Sequence, residues 1–463
     1  MDRIAIELND AGLLASSDPR VADAALAPSP GIATTVDGRL LVGEAAARRW
    51  RLAPLAAHNR YWLELDNAVP GAPPAPPMTA ADLAHAQLVE LLAGSTATGV
   101  LAAVPPGWRR EQLGLLAGIV GETGRPLQGL VDAGLVACTT VPAARRMLHL
   151  DLQLHQAVLT VVEHSGAEGV LRRTAYELLP EAGDVAVQQA LAAYVAAAFV
   201  RDTRYDPLHH ASGEQALYDR VPGWLEACGA DGEVAAELLA GPVTHRATLR
   251  RGGFTEAAAR CVGDLLRLVQ SGRPAGQPVR LCVSARAAAV PGLLDRLAEL
   301  RDCDVVVLGR GAVLRGVLAQ GDAIARPPEA LVLVHRLPSP PLAEPAATSA
   351  AAIPPADRPT HVLLDGVAHA VGARPLGLGS APGAGRTLAL PAGVPGLSRL
   401  HCTLRLESGA VLVEDRSTYG TYVNGERVAG RAELRVGDVL RLGTPGVALT
   451  MIRVVADDGT PQV

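Results

Sequence analysis

Two short stretches near the C-terminus carry side chains suited to holding an oxyanion. Ser398-Arg399-Leu400-His401 puts a hydroxyl and a guanidinium on a loop that leads into a strand. Asp415-Arg416-Ser417-Thr418-Tyr419-Gly420 puts two more hydroxyls on a neighbouring loop. Hydroxyl and guanidinium donors on adjoining loops are the groups that a phosphate takes. The alternative for Ser398 and Thr418 is that they only terminate strands. Any cation here is an arginine, because the 463 residues contain no lysine and all 42 basic residues are Arg. That excludes Schiff-base, P-loop and general-base lysine chemistry, and leaves anion binding by guanidinium forks open.

Other constellations are weaker. His209-His210 followed by Glu214 lacks a third ligand at metal spacing, so no metal site is expected. The six cysteines lie far apart with no CxxC, which points away from a disulfide framework and toward a reducing, cytoplasmic setting. A net charge of −5 gives no global field toward nucleic acid, and no apolar run is long enough for membrane insertion. Between Thr360 and Val455, however, ten arginines face seven acids, so this part is about +3 and suits an acidic or phosphorylated partner.

The elements that must position these groups fall into two patterns. Up to about residue 335, strand and helix signals alternate, as in α/β layers. Strands are expected at Arg3–Leu8, Leu40–Val42, Gly99–Val104, Val279–Val283 and Asp304–Leu308. Helices are expected from the capping box Thr79-Ala-Ala-Asp82 to about Leu92, and over Gln112–Val120, Val185–Arg201, Glu256–Gln270 and Pro291–Leu300. The alternation from Met147 to Glu163 predicts a hairpin with one buried face. A Pro/Ala/Ser tract over 336–359 reads as a tether. From 360 to 455, short strands broken by Asp365-Gly366, Ser408-Gly409 and Asn424-Gly425 imply a β-sandwich, with a tail at 456–463.

The blocks Ser398-Arg-Leu-His401, Asp415 to Gly425 and Gly437-Asp438 to Gly443 resemble a forkhead-associated (FHA) domain. The resemblance implies a sandwich whose end loops bind phosphothreonine peptides. It implies phosphate contacts from Ser398 and Thr418, with Ser417 beside Thr418, Arg399 alongside, and His401, Gly420 and Asn424 supporting the loops. Two positions depart from the family pattern: Ser380 stands where the family has a phosphate-gripping arginine, for which Arg386 is a candidate stand-in, and Tyr419 stands where it has a peptide-holding Asn.

Residues 1–335 resemble the actin-like nucleotide-binding domain of the seventy-kilodalton heat-shock chaperones. The resemblance rests on Val100 to Pro105, Leu130 to Ala137, Leu148 to Leu152 and Leu281 to Leu293. It implies two lobes around a cleft in which glycine-rich turns hold ATP. Those turns are replaced: Glu7 for Asp, Asn9-Asp10 for Gly-Thr, Gln153-Leu154-His155-Gln156 for the second loop, and Ser284-Ala285 for the adenosine Gly-Gly. Glu7 and Asp151 could still hold Mg²⁺ through waters. The expectation is a cytoplasmic, non-enzymatic adaptor in which a degenerate actin-like domain, without cofactor, is tethered to an FHA sandwich that binds a protein partner. An ATP-binding chaperone-like ATPase and a phosphorylation-independent scaffold are the alternatives.

Overall fold

Strands and helices interleave up to about residue 340, whereas the described residues beyond it form turn-punctuated strands. The structure, a computed structural model, describes residues 2–67, 78–166, 168–229, 232–327, 330–340, 342, 357–383, 385–391 and 393–454. It divides into two units: residues 1–266 with 280–342, and residues 267–279 with 343–463.

In the first unit the apolar run Gly99–Val104 is buried along its whole length, as an internal parallel strand must be. Arg3–Glu7 and Leu127–Asp132 flank it in parallel, and Leu14–Ser16 and Leu333–Val334 complete a five-stranded sheet. A second sheet has the order Cys303–Val307, Val279–Val283, Arg146–Leu152, Gln156–Ser165, Val170–Pro180, Arg336–Pro338. Residues 336–338, read from sequence as the start of the tether, are thus its edge strand, paired with Val170–Arg172. Most of the remaining tether, and the tail, lie outside the described residues. The capping box forms as expected, with the Thr79 hydroxyl accepting from Asp82 N–H and the Asp82 carboxylate accepting from Thr79 N–H.

The hairpin over Met147–Glu163 differs from its sequence pattern. Both of its faces are buried, not one. Apolar side chains of the helix Ala133–Cys138 pack with Met147 and Val162, while Leu148, Leu150 and Leu152 are buried on the opposite face. The polar members of the alternation, His149 and Asp151, are therefore inside the unit.

The second unit is a β-sandwich. One sheet runs Pro274–Ala275, Glu426–Val428, Thr421–Val423, Val439–Leu442, Val447–Ile452, His361–Leu364, Val367–Ala370. The other runs Thr387–Ala389, Leu376–Gly379, Cys402–Glu407, Ala410–Asp415, Arg431–Leu434. Leu378, Leu404, Val413, Leu440 and Met451 fill the space between them. Asp365-Gly366, Ser408-Gly409 and Asn424-Gly425 all have positive φ at both positions, the two-residue hairpin geometry that their sequences predict. The first strand of this unit comes from residues 267–279, far ahead of the rest in sequence.

Candidate functional site

The sandwich loops bring Ser398 and Thr418 together. The Ser398 hydroxyl accepts a hydrogen bond from Thr418 N–H at 3.2 Å. His401, fully buried, holds both loops: its Nδ1 accepts from Ser398 N–H at 3.1 Å, and its Nε2 lies 3.1 Å from the Gly420 carbonyl, which accepts. Burial lowers the His401 pKa, keeping the neutral imidazole that can accept at one nitrogen and donate at the other. Gly379 permits this approach, since a Cβ there would come within 2.1 Å of the Arg399 carbonyl oxygen. Ser380 N–H then donates to the Ser398 carbonyl at 3.1 Å, placing Ser380 beside the same loop.

Asp415 organises the second loop. Its Oδ1 accepts from Ser417 N–H, the Ser417 hydroxyl and the Thr421 hydroxyl. The Ser417 hydroxyl also accepts from Gly420 N–H at 2.7 Å, so it is engaged within the loop, whereas Thr418 lies at the surface. Asn424 ties in the third motif block, accepting from Val439 N–H and donating to Asp438 at 2.9 Å each. Tyr419 is 60% exposed at the loop. Arg399 is exposed and has no ion pair among the described residues. The guanidinium of Arg386 bonds the Ala370 carbonyl, so the structure does not bring it to Ser398 and Thr418.

Residues 378–443 match the family model for the FHA domain. The C-terminal part of the chain therefore carries an FHA domain, a module that binds protein partners. No curated protein matches the chain. No helix among the described residues is long and apolar enough to cross a membrane, and no group of three or more His, Cys, Asp or Glu among them could hold a metal ion.

The first unit holds a second constellation, at the carboxyl ends of its strands, where ligands of α/β sheets commonly sit. Glu7 ends one strand and Asp151 lies near the end of another, in different sheets. Arg286, from the short helix Ala285–Ala288, donates to Glu7 at 2.8 Å and to the Gly12 carbonyl at 2.8 Å, and lies 3.7 Å from Asp151. Around it the loops bond directly to each other. Asn9 donates to Asp151 at 2.8 Å and to the Leu152 carbonyl at 3.0 Å, and Asp10 accepts from Leu154 N–H at 2.7 Å. Gln153 and Gln156 are bonded side chain to side chain, and Ser284 caps the short helix by accepting from Ala287 N–H. Asp10 and Gln153, like Glu7, are buried.

The electrostatics follow from burial. Desolvation raises the pKa of Glu7, opposed by the Arg286 charge. Desolvation raises Asp10 to about 6. Burial alone would lower Arg286, but the Glu7 and Asp151 charges outweigh it and hold the guanidinium protonated. A cavity of about 200 Å³ lined by Glu7, His149, Asp151, Ser284 and Arg286 adjoins one of about 790 Å³ that runs past Trp50, Arg51 and Tyr218. Volume is available there, yet the point between the two carboxylates is filled by a side chain.

Sequence reading selected Glu7, Asp151 and Ser284 and passed over Arg286, two residues beyond Ser284. It also gave no role to Asp415 or Gly379. An arginine directly after a Ser-Ala that replaces Gly-Gly was the available signal for the first, and the Leu-Gly-Leu-Gly run for the last.

Proposed function

We propose that this protein is a non-enzymatic adaptor whose FHA domain reads phosphothreonine in a protein partner. The observation that carries the reading is the Ser398 hydroxyl bonded to Thr418 N–H, braced by buried His401 at a loop end of a domain with excess arginine. A phosphate seated there would take the Ser398 and Thr418 hydroxyls with Arg399 close by. In binding assays the full chain is expected to prefer phosphothreonine peptides over their unphosphorylated forms by at least tenfold, and Ser398→Ala to remove most of that preference. Equal binding of both forms would favour a phosphorylation-independent scaffold, for which the altered Ser380 and Tyr419 positions argue.

The first unit is proposed to be an actin-like domain that has lost ATPase function. Two mixed sheets, each contributing one loop to a shared carboxyl-end cavity, support the fold assignment. Arg286 supports the loss of function: a guanidinium already neutralises Glu7 and Asp151, the pair that would have to hold Mg²⁺. Asp10, bonded to the opposite loop, puts a further acid where phosphate would approach. Mg-ATP is therefore expected to leave the unit's melting temperature unchanged; a stabilisation that disappears in Asp151→Ala would restore the chaperone-like ATPase reading.

A further inference from the structure

The proposed phosphate site has free hydroxyl donors and an exposed arginine on its own loop, while its Thr418 and Ser380 amides are already bonded, so a dianion calls for a further guanidinium held from outside the loop. Arg386 is committed to the Ala370 carbonyl. Arg416 pairs with Glu414 at 2.9 Å. Arg441 stacks on Tyr422, 4.0 Å from the ring centroid, and donates to the Gly443 carbonyl at 2.8 Å. Arg399 is exposed on the Ser398 loop itself, with no strand to fix its stem. One further arginine touches the site from a neighbouring strand: Arg427.

The Arg427 backbone is held on both sides, opposite Tyr422 in one strand and opposite Pro274 in the other. Its side chain lies against the 417–420 loop so closely that a Cβ on Gly420 would stand 2.9 Å from Arg427 Nε. Gly420 has φ +87°, and its N–H and C=O are bonded to Ser417 and His401, which ties the loop down at this residue. Arg427 is nevertheless exposed, and no carboxylate pairs with it among the described residues. A stem held in the sheet, a side chain lying on the loop that carries Thr418, and no ion pair among the described residues to neutralise it, the loop's own Asp415 being taken up by Ser417 and Thr421, are the properties of an anion-gripping arginine.

We propose that Arg427 supplies the guanidinium for the partner's phosphate, in place of the arginine that Ser380 has replaced, with Gly420 as the residue that lets it lie on the loop. This rests on the phosphothreonine reading above. The test uses the full chain and a fluorescent peptide pool with one central phosphothreonine and degenerate flanks, alongside the same pool without phosphate. Arg427→Ala is expected to weaken phosphopeptide binding by ten- to a hundredfold and leave the unphosphorylated pool unaffected. Arg427→Lys should recover part of the loss, Arg427→Gln none of it, and Arg386→Ala should bind as the unsubstituted protein does. If Arg427→Ala binds the phosphorylated pool normally while Ser398→Ala does not, the role of Arg427 is overturned and the phosphothreonine reading stands. If the unsubstituted protein does not distinguish the pools, the reading itself falls. Melting curves for each variant separate loss of binding from loss of fold.

Discussion

Arg286→Ala is expected to destabilise the first unit by about 3–5 kcal/mol, the usual cost of removing one member of a buried ion pair. The substitution leaves Glu7 buried with no cation beside it and Asp151 facing it, and releases the Gly12 carbonyl from its donor. All four tryptophans (Trp50, Trp62, Trp108 and Trp224) lie in this unit, so urea unfolding followed by tryptophan fluorescence reports on it alone. The loss should depend on pH with a definite sign. Asp10 titrates at about 6 in the folded protein and near 4 when unfolded, and Glu7 is raised as well. The folded state thus binds more protons across that window, and these groups add stability as pH falls from 6 toward 4 and lose it as pH rises. Without Arg286, whose charge lowers both, the Glu7 and Asp10 carboxyls shift further upward, so the variant should recover part of its deficit between pH 7 and pH 5. Glu7→Gln added to Arg286→Ala should restore stability at pH 7 by the same logic. A loss under 1 kcal/mol, or one independent of pH, would mean that the guanidinium does not neutralise this cluster.

That cluster shows where sequence reading stops. The FHA blocks were legible because their information is local: Asn424-Gly425 sets its own turn, and Ser398 and His401 lie three residues apart on one loop. In the first unit the strand Gly99–Val104 and the capped helix after Thr79 were equally local and are found where their patterns put them. Which face of a strand is covered depends on elements outside it, so the Met147–Glu163 alternation was read as half-exposed although helix Ala133–Cys138 packs on one face and the hairpin's own leucines are buried on the other. The Arg286–Glu7 bond spans 279 positions, and no spacing rule reaches that far. Arg273-Pro274-Ala275-Gly276 has no strand signature, because its pairing is dictated by the edge it joins.

That last segment leads to a second large effect. Residues 267–279 belong to the sandwich unit although more than sixty residues separate them from its remainder. Pro274 and Ala275 run parallel to Arg427 and Val428, and Ala275 is buried in the same core as Val428 and Ala432. Arg273, 3% exposed, is ion-paired with Glu426. Reversing its charge with Arg273→Glu places two carboxylates in a site built for a pair, and should cost the sandwich about 3–5 kcal/mol. Arg273→Glu with Glu426→Arg should return much of it, which simple disruption of packing would not. A protease site inserted between residues 345 and 352 gives a direct readout. After cleavage the two pieces should still co-elute in size exclusion, because segments on both sides of the cut form one folded body, and the Arg273→Glu variant should let the C-terminal piece elute separately. Hydrogen exchange at Glu426–Val428 should rise in that variant first and at Thr421–Val423 next, since the former strand pairs with the segment that is lost and the latter with the former. Pieces that separate without any substitution would show that the sandwich stands without residues 267–279.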